Sequence, residues 1–139
     1  MISHSEKETY EFAKNMAKNA KAGQVYCLSG GLGAGKTVFA KGFAAGLGID
    51  VPVTSPTFTI INEYIGELPL YHFDVWRVTD PDEMYYTGFE DYFYGGGVCL
   101  VEWAELVRVV IPDFAIWIKI NNVGENTREI EVENGHFGV

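Results

Sequence analysis

The sequence predicts one α/β domain, and three observations predict it. A short strand-forming run, QVYCLS, leads directly into the glycine-rich stretch GGLGAGKT. An amphipathic helical pattern follows that stretch. Further short apolar runs, divided by turn signals, fill the rest of the chain. With 139 residues, 47% of them hydrophobic, the chain has material for one core. No linker, repeat or low-complexity tract divides it, so residues 1–139 read as a single domain.

The elements follow in order. Ser5 with Glu8 three residues on has the spacing of a capping box, and Phe12, Ala13, Met16, Ala17 and Ala20 recur at helical intervals. That helix is expected to end near Lys21, with Gly23 as its stop. Gln24 to Ser29 reads as a buried strand. After the glycines, Phe39, Phe43 and Leu47 form one apolar stripe, which predicts a helix from near Lys36 to Gly48. Val51 to Pro56 reads as a loop, Thr57 to Tyr64 as a strand, and Leu70 to Val78 as the second strand of a hairpin turning at Gly66 to Pro69. Asp80 with Pro81 starts another helix, and Gly95-Gly96-Gly97 is a turn. Val98 to Trp103 is a buried strand ending on a carboxylate. Phe114 to Ile120 and Arg128 to Asn134 alternate as an antiparallel pair, with Asn121 to Asn126 as the loop between them.

Bulk properties narrow the function. No apolar run is long enough to span a bilayer, and the polar start MISHSEKETYEF lacks a secretory signal's apolar middle, so a cytoplasmic protein is expected. A formal net charge of −9 repels nucleic-acid backbones and acidic membranes, so any tRNA would be held by a partner. The only arginines, Arg77, Arg108 and Arg128, are scattered. Cys27 and Cys99 lie in buried runs and read as reduced core thiols. No Cys/His cluster has metal-ligand spacing.

Gly30-x-x-x-x-Gly35-Lys36-Thr37 satisfies the pattern GxxxxGK[ST], with a strand before it and a helix after. Each part has a physical task. The stretch Gly30, Gly31, Leu32, Gly33, Ala34 and Gly35 can curl its amides inward around phosphate oxygens. The following helix adds the positive end of its dipole. Lys36 can reach the β- and γ-phosphates, and the Thr37 hydroxyl can ligate Mg²⁺. The residues therefore predict a P-loop nucleoside-triphosphate fold, a mixed and mainly parallel sheet flanked by helices, with a C-terminal antiparallel pair. Such a site needs a carboxylate at the end of a neighbouring strand. Glu102 ends the cleaner apolar run and is assigned to the metal. Asp74 is assigned to the attacking water or the metal's water shell. The sequence does not forbid the reverse. His72 reads as a packed strand histidine rather than a general base, and His4 and His136 as solvated. Tyr85, Tyr86, Phe89, Tyr92, Phe93 and Tyr94 read as packing, with a partner-docking patch as the alternative.

With these pieces in order, the chain resembles the TsaE family of small P-loop ATPases needed to make threonylcarbamoyladenosine in bacterial tRNA. LSGGLGAGKT, TSPTFTIINEY, YHFDVWR, DPDE, GFEDYF and VCLVEWAE carry the resemblance, from about Glu8 to Pro112. It implies ATP and Mg²⁺ as cofactors, with Lys36 on the phosphates, Thr37 and Glu102 on the metal, and Asp74 needed for hydrolysis. It implies that Ser55 and Thr57, in the loop Ser55 to Phe58, sense the γ-phosphate, and that Trp103 stands beside the site. A residue near Thr9 would line the base side. TsaB and TsaD would be the partners, with ATP hydrolysis resetting their complex between tRNA turnovers. Three positions depart from the family's habit: Val38 replaces a hydroxyl residue, Gly31 a polar one and Trp76 a tyrosine.

Two rival functions remain in view. A small-molecule or nucleotide kinase would need an acceptor pocket and a basic lid, and the chain has no insertion or arginine-rich segment to make them. An ATP-responsive module that scarcely hydrolyses would lack a water-positioning residue, whereas Asp74 is present.

Overall fold

The computed structural model describes residues 1–31, 33–54 and 61–134. Its strands are β1 Ile2–Ser3, β2 Val25–Ser29, β3 Ile61–Tyr64, β4 Leu70–Asp74, β5 Val98–Glu102, β6 Ile116–Gly124 and β7 Thr127–Glu133. Its α-helices are α1 Glu6–Lys18, α2 Lys36–Gly46 and α3 Phe89–Phe93, and 3₁₀ segments cover Pro81–Thr87 and Ala104–Val110. Among the described residues the strands form one sheet in the order β1-β7-β6-β2-β5-β4-β3. β6, β2, β5 and β4 are mutually parallel neighbours, and antiparallel strands close both edges. This is the mixed α/β sheet that the sequence predicts.

The parallel strands are apolar on both faces because both faces are covered. Along β2 the side chains alternate: Tyr26 and Leu28 face α1 and α2, while Val25 and Cys27 face the layer of α3 and the 3₁₀ segments. Phe39 and Phe43 fill the first layer, Phe73, Met84 and Phe93 the second. Cys27 and Cys99 are free and fully buried, as expected of core thiols, and burial pushes the Cys99 thiol up to about 12. Helices α1 and α2 approach closely through bare backbone. A Cβ on Gly42 would stand 2.3 Å from the Tyr10 carbonyl oxygen, and one on Gly46 would stand 2.3 Å from that of Lys14. The pair of glycines one turn apart thereby seats the helix that follows the glycine loop.

Local chemistry explains where elements stop. Ser5 caps α1 by accepting from the Glu8 amide, and the Glu8 carboxylate accepts from the His4 amide. The helix ends at Lys18, earlier than the expected Lys21, because the Asn19 amide turns back onto Met16 and Ala17 carbonyls. The strand expected from Leu70 to Val78 ends at Asp74. The Asp74 carboxylate accepts from the Trp76 amide at 3.0 Å, and the Val78 amide bonds the Val75 carbonyl, so the chain turns. Asp80 caps a 3₁₀ segment rather than an α-helix. The expected loop Asn121 to Asn126 is mostly strand: Asn121 pairs with Glu129, Asn122 with Arg128 and Gly124 with Thr127. Asn126 takes the left-handed turn position at φ 58°. Residues 57–60 of the expected strand before Ile61 lie outside the described residues.

Candidate functional site

The glycine loop joins the end of β2 to the start of α2 at the edge of the parallel core. Gly30 has φ +139°, and a Cβ there would lie 2.3 Å from the Ile120 carbonyl oxygen, so any side chain would push the loop off β6. Gly33 and Gly35 also have positive φ, at 75° and 99°. Gly35 precedes α2 and supplies no side-chain cap, which leaves the helix's first amides turned to the loop. Gly31, Gly33 and Thr37 are exposed, while Ala34 and Lys36 are buried. Leu32 of the glycine loop lies outside the described residues, as do Ser55 and Thr57 of the expected phosphate sensor and His136.

Strand register brings the carboxylates to this loop. Leu28 pairs with Glu102 across β2 and β5, and Asp74 pairs with Glu102 across β4 and β5. Alternation then puts His72, Asp74 and Glu102 on the α2 side of the sheet. Glu102 is 4% exposed, and the His72 Nε2 atom donates to its Oε2 at 2.5 Å. The opposite ring nitrogen, Nδ1, is buried with no hydrogen-bond partner among the described residues, so the proton belongs on Nε2, facing the carboxylate. His72 is thus the packed strand histidine expected, with an added task that its sequence position does not reveal: it fixes one oxygen of Glu102.

Lys36 is held in place from two sides. Its Nζ donates to the Gly30 carbonyl at 2.6 Å and lies 3.1 Å from the centre of the Trp103 ring. Burial lowers its pKa, and Glu105, Glu102 and Asp74 push the other way. The Glu105 carboxylate also accepts from the Gly30 amide at 3.3 Å. Trp103 reaches Lys36 by leaving β5 in the left-handed region, at φ 61°, a conformation costing about 1–3 kcal/mol for a bulky residue. Its ring packs on Trp76, with centroids 4.3 Å apart.

The arrangement suits a magnesium–polyphosphate ligand. Among the described residues no three His, Cys, Asp or Glu side chains group as a self-sufficient metal site. A metal that arrives with a nucleotide needs only one or two carboxylates plus phosphate oxygens. Glu102 and Asp74 could supply the carboxylates, and Thr37 stands exposed on the first turn of α2. Thr9 is buried and its hydroxyl pairs with that of Ser3 at 2.7 Å. It borders a small cavity beside Gly35 and Val38. In the aromatic cluster Phe89 and Phe93 are buried, as packing requires, whereas Tyr85, Tyr86 and Tyr94 are exposed.

Asp74 illustrates the cost of such a site. Burial raises its pKa, the Trp76 amide lowers it, Glu102 raises it, and His72 and Lys36 lower it, with a net upward shift. A carboxyl raised in the fold binds its proton more tightly folded than unfolded. Ionising it therefore removes stability as pH rises from the ordinary 3.8 through the raised value. Asp74→Asn is expected to raise the melting temperature by a few degrees at pH 7. The gain should fade as pH falls through the Asp74 titration. Thermal unfolding of both chains between pH 4 and 8 checks this.

The chain is similar to known proteins of one family. The family model described as threonylcarbamoyl adenosine biosynthesis protein TsaE matches residues 3–130. A Bacillus subtilis protein named tRNA threonylcarbamoyladenosine biosynthesis protein TsaE is 54% identical over 88% of this chain and 77% of its own length. One of the same name from Treponema pallidum is 39% identical over 94% of this chain and 97% of its own. The crystal structure of Bacillus subtilis YdiB superposes with a TM-score of 0.83 at 44% identity, covering 98% of this chain and 84% of that one.

Proposed function

This chain belongs to the TsaE family of tRNA threonylcarbamoyladenosine biosynthesis proteins, and from that premise we propose that it is a magnesium-dependent ATPase. Its hydrolysis would reset a TsaB–TsaD complex between rounds of tRNA modification. The observation that carries the reading is the convergence of Lys36, at the start of α2 behind the glycine loop, with Asp74 and Glu102, at the ends of the adjacent parallel strands β4 and β5.

Each residue has a task in that chemistry. The loop amides and the start of α2 hold phosphate oxygens without reorganising. Lys36 exchanges the Gly30 carbonyl and the Trp103 face for the β- and γ-phosphates, where its charge offsets negative charge developing on the transferred group. Thr37 and Glu102 would hold the metal, which would supply positive charge to the phosphate oxygens. Asp74 orients the attacking water. With a net charge of −9, the chain leaves tRNA to the partners. No described helix is long and apolar enough to cross a membrane.

The test is phosphate release from Mg-ATP by the chain alone and with TsaB, TsaD and tRNA. Slow release that rises several-fold in the complex is expected. Release indifferent to the partners, or label passing to a small acceptor instead of water, would overturn the reading in favour of a free ATPase or a kinase.

A further inference from the structure

Arg128 lies on β7 opposite Asn122, far along the chain from the glycine loop, yet its guanidinium is built into that loop. Its Nε donates to the Ala34 carbonyl at 3.1 Å and its Nη2 to the Gly33 carbonyl at 3.2 Å. The Nη1 atom faces the Thr127 and Gly124 carbonyls and the Asn122 side-chain oxygen at 3.0 to 3.3 Å. All of these acceptors are neutral oxygens. Among the described residues no carboxylate stands within ion-pair distance of Arg128. A full positive charge therefore stands behind the loop, bordering a cavity that Glu6 also lines, in a chain of net charge −9.

The direction of those bonds matters. A trans peptide points its N–H opposite to its C=O. Holding the Gly33 and Ala34 carbonyls toward the hairpin turns the Ala34 and Gly35 amides to the inner side of the loop. Among the described residues the Ala34 amide makes a long 3.3 Å bond to the Gly31 carbonyl. The guanidinium also sits 3.8 Å from where a Gly35 Cβ would lie, so the loop packs directly on the arginine. The adjoining cavity, lined by Thr9, Gly35, Val38, Asn126 and Arg128 among others, measures about 50 Å³, room for water but not for a purine ring.

We propose that Arg128 is a positioning residue for phosphate binding: it fixes the glycine loop's amides inward from behind and adds positive potential for a polyphosphate chain. This rests on the nucleotide reading above and names the part of the ligand that Arg128 serves. It acts through the loop backbone and not by touching the base.

The test compares the full chain with Arg128→Gln and Arg128→Lys, titrated calorimetrically with Mg-ATP and with inorganic tripolyphosphate. The Gln chain should bind both ligands about tenfold or more weakly, by similar factors, because a charge and a two-oxygen fork are lost together. The Lys chain should recover part of that loss, since it restores the charge alone. Turnover at saturating ATP should change less than about threefold, so the effect appears in KM and not in kcat. Should the Gln chain fail to fold, the Lys chain carries the same comparison with a smaller loss, again equal for both ligands. Weakened ATP binding with tripolyphosphate unaffected would mean direct contact with the nucleoside and overturn the proposal. A lower melting temperature with both affinities unchanged would overturn it as well, leaving a merely structural arginine. Wild-type chain that binds neither ligand would overturn the nucleotide reading itself, and this proposal with it.

Discussion

Lys36→Ala is expected to weaken Mg-ATP binding about a hundredfold or more and to remove measurable hydrolysis. The reason is electrostatic. Lys36 is 7% exposed and stands among Glu102, Asp74 and Glu105, all of which interact with its charge. Removing the cation takes away the phosphate's partner and leaves that carboxylate group unopposed. The fold should survive. Alanine suits the first turn of a helix, and the lost ammonium had been costly to bury. Two measurements check the outcome: calorimetric titration with Mg-ATP, and the melting temperature, which should stay within a few degrees of wild type. ATP affinity unchanged within threefold would remove Lys36 from the site.

The second large effect falls on Glu102. Glu102→Gln should lower kcat by about a hundredfold while ATP binding in the absence of magnesium stays near wild type, because the amide keeps the shape and loses the metal-binding charge. The His72 contact adds a graded companion. His72→Leu removes the donor that fixes Oε2, and loss of such an outer partner lowers metal affinity or activity by about 10- to 100-fold. His72→Gln, whose amide reaches a position close to Nε2, should restore part of it. The magnesium concentration for half-maximal activity should rise in the Leu chain more than KM for ATP does. In a Glu102→Gln background the Leu substitution should add little, since the residue through which it acts is already changed. Additive losses would instead separate His72 from Glu102.

Much of this was legible in the residues. The glycine loop could be read because its chemistry is local: a strand, a run of glycines, a lysine and a helix in consecutive order. Ser5 as cap, α2's apolar stripe and the strand-end carboxylates Asp74 and Glu102 were legible for the same reason. What stayed hidden depends on distant contacts. β1 is two residues long and exists because its backbone pairs with β7. Asn121 and Asn122 carry no strand propensity, and cross-strand pairing overrides that. Gly42 and Gly46 look like weak points in a helix until α1 is seen lying against them. Arg128 looked scattered because its partners, Gly33 and Ala34, stand more than ninety residues away. His72 could be placed on a strand but not against Glu102, because that contact needs the parallel register of β4 and β5. Trp103 offered no sign of its positive φ, which serves to set its ring over Lys36.

The most direct test of the central claim is equilibrium titration of the full chain with ATP, with and without magnesium, beside Lys36→Ala. The account predicts saturable one-to-one binding that magnesium strengthens and that the Lys36 substitution removes. Absence of binding at millimolar ATP, or binding that survives loss of Lys36 undiminished, would contradict it and detach the glycine loop from nucleotide chemistry.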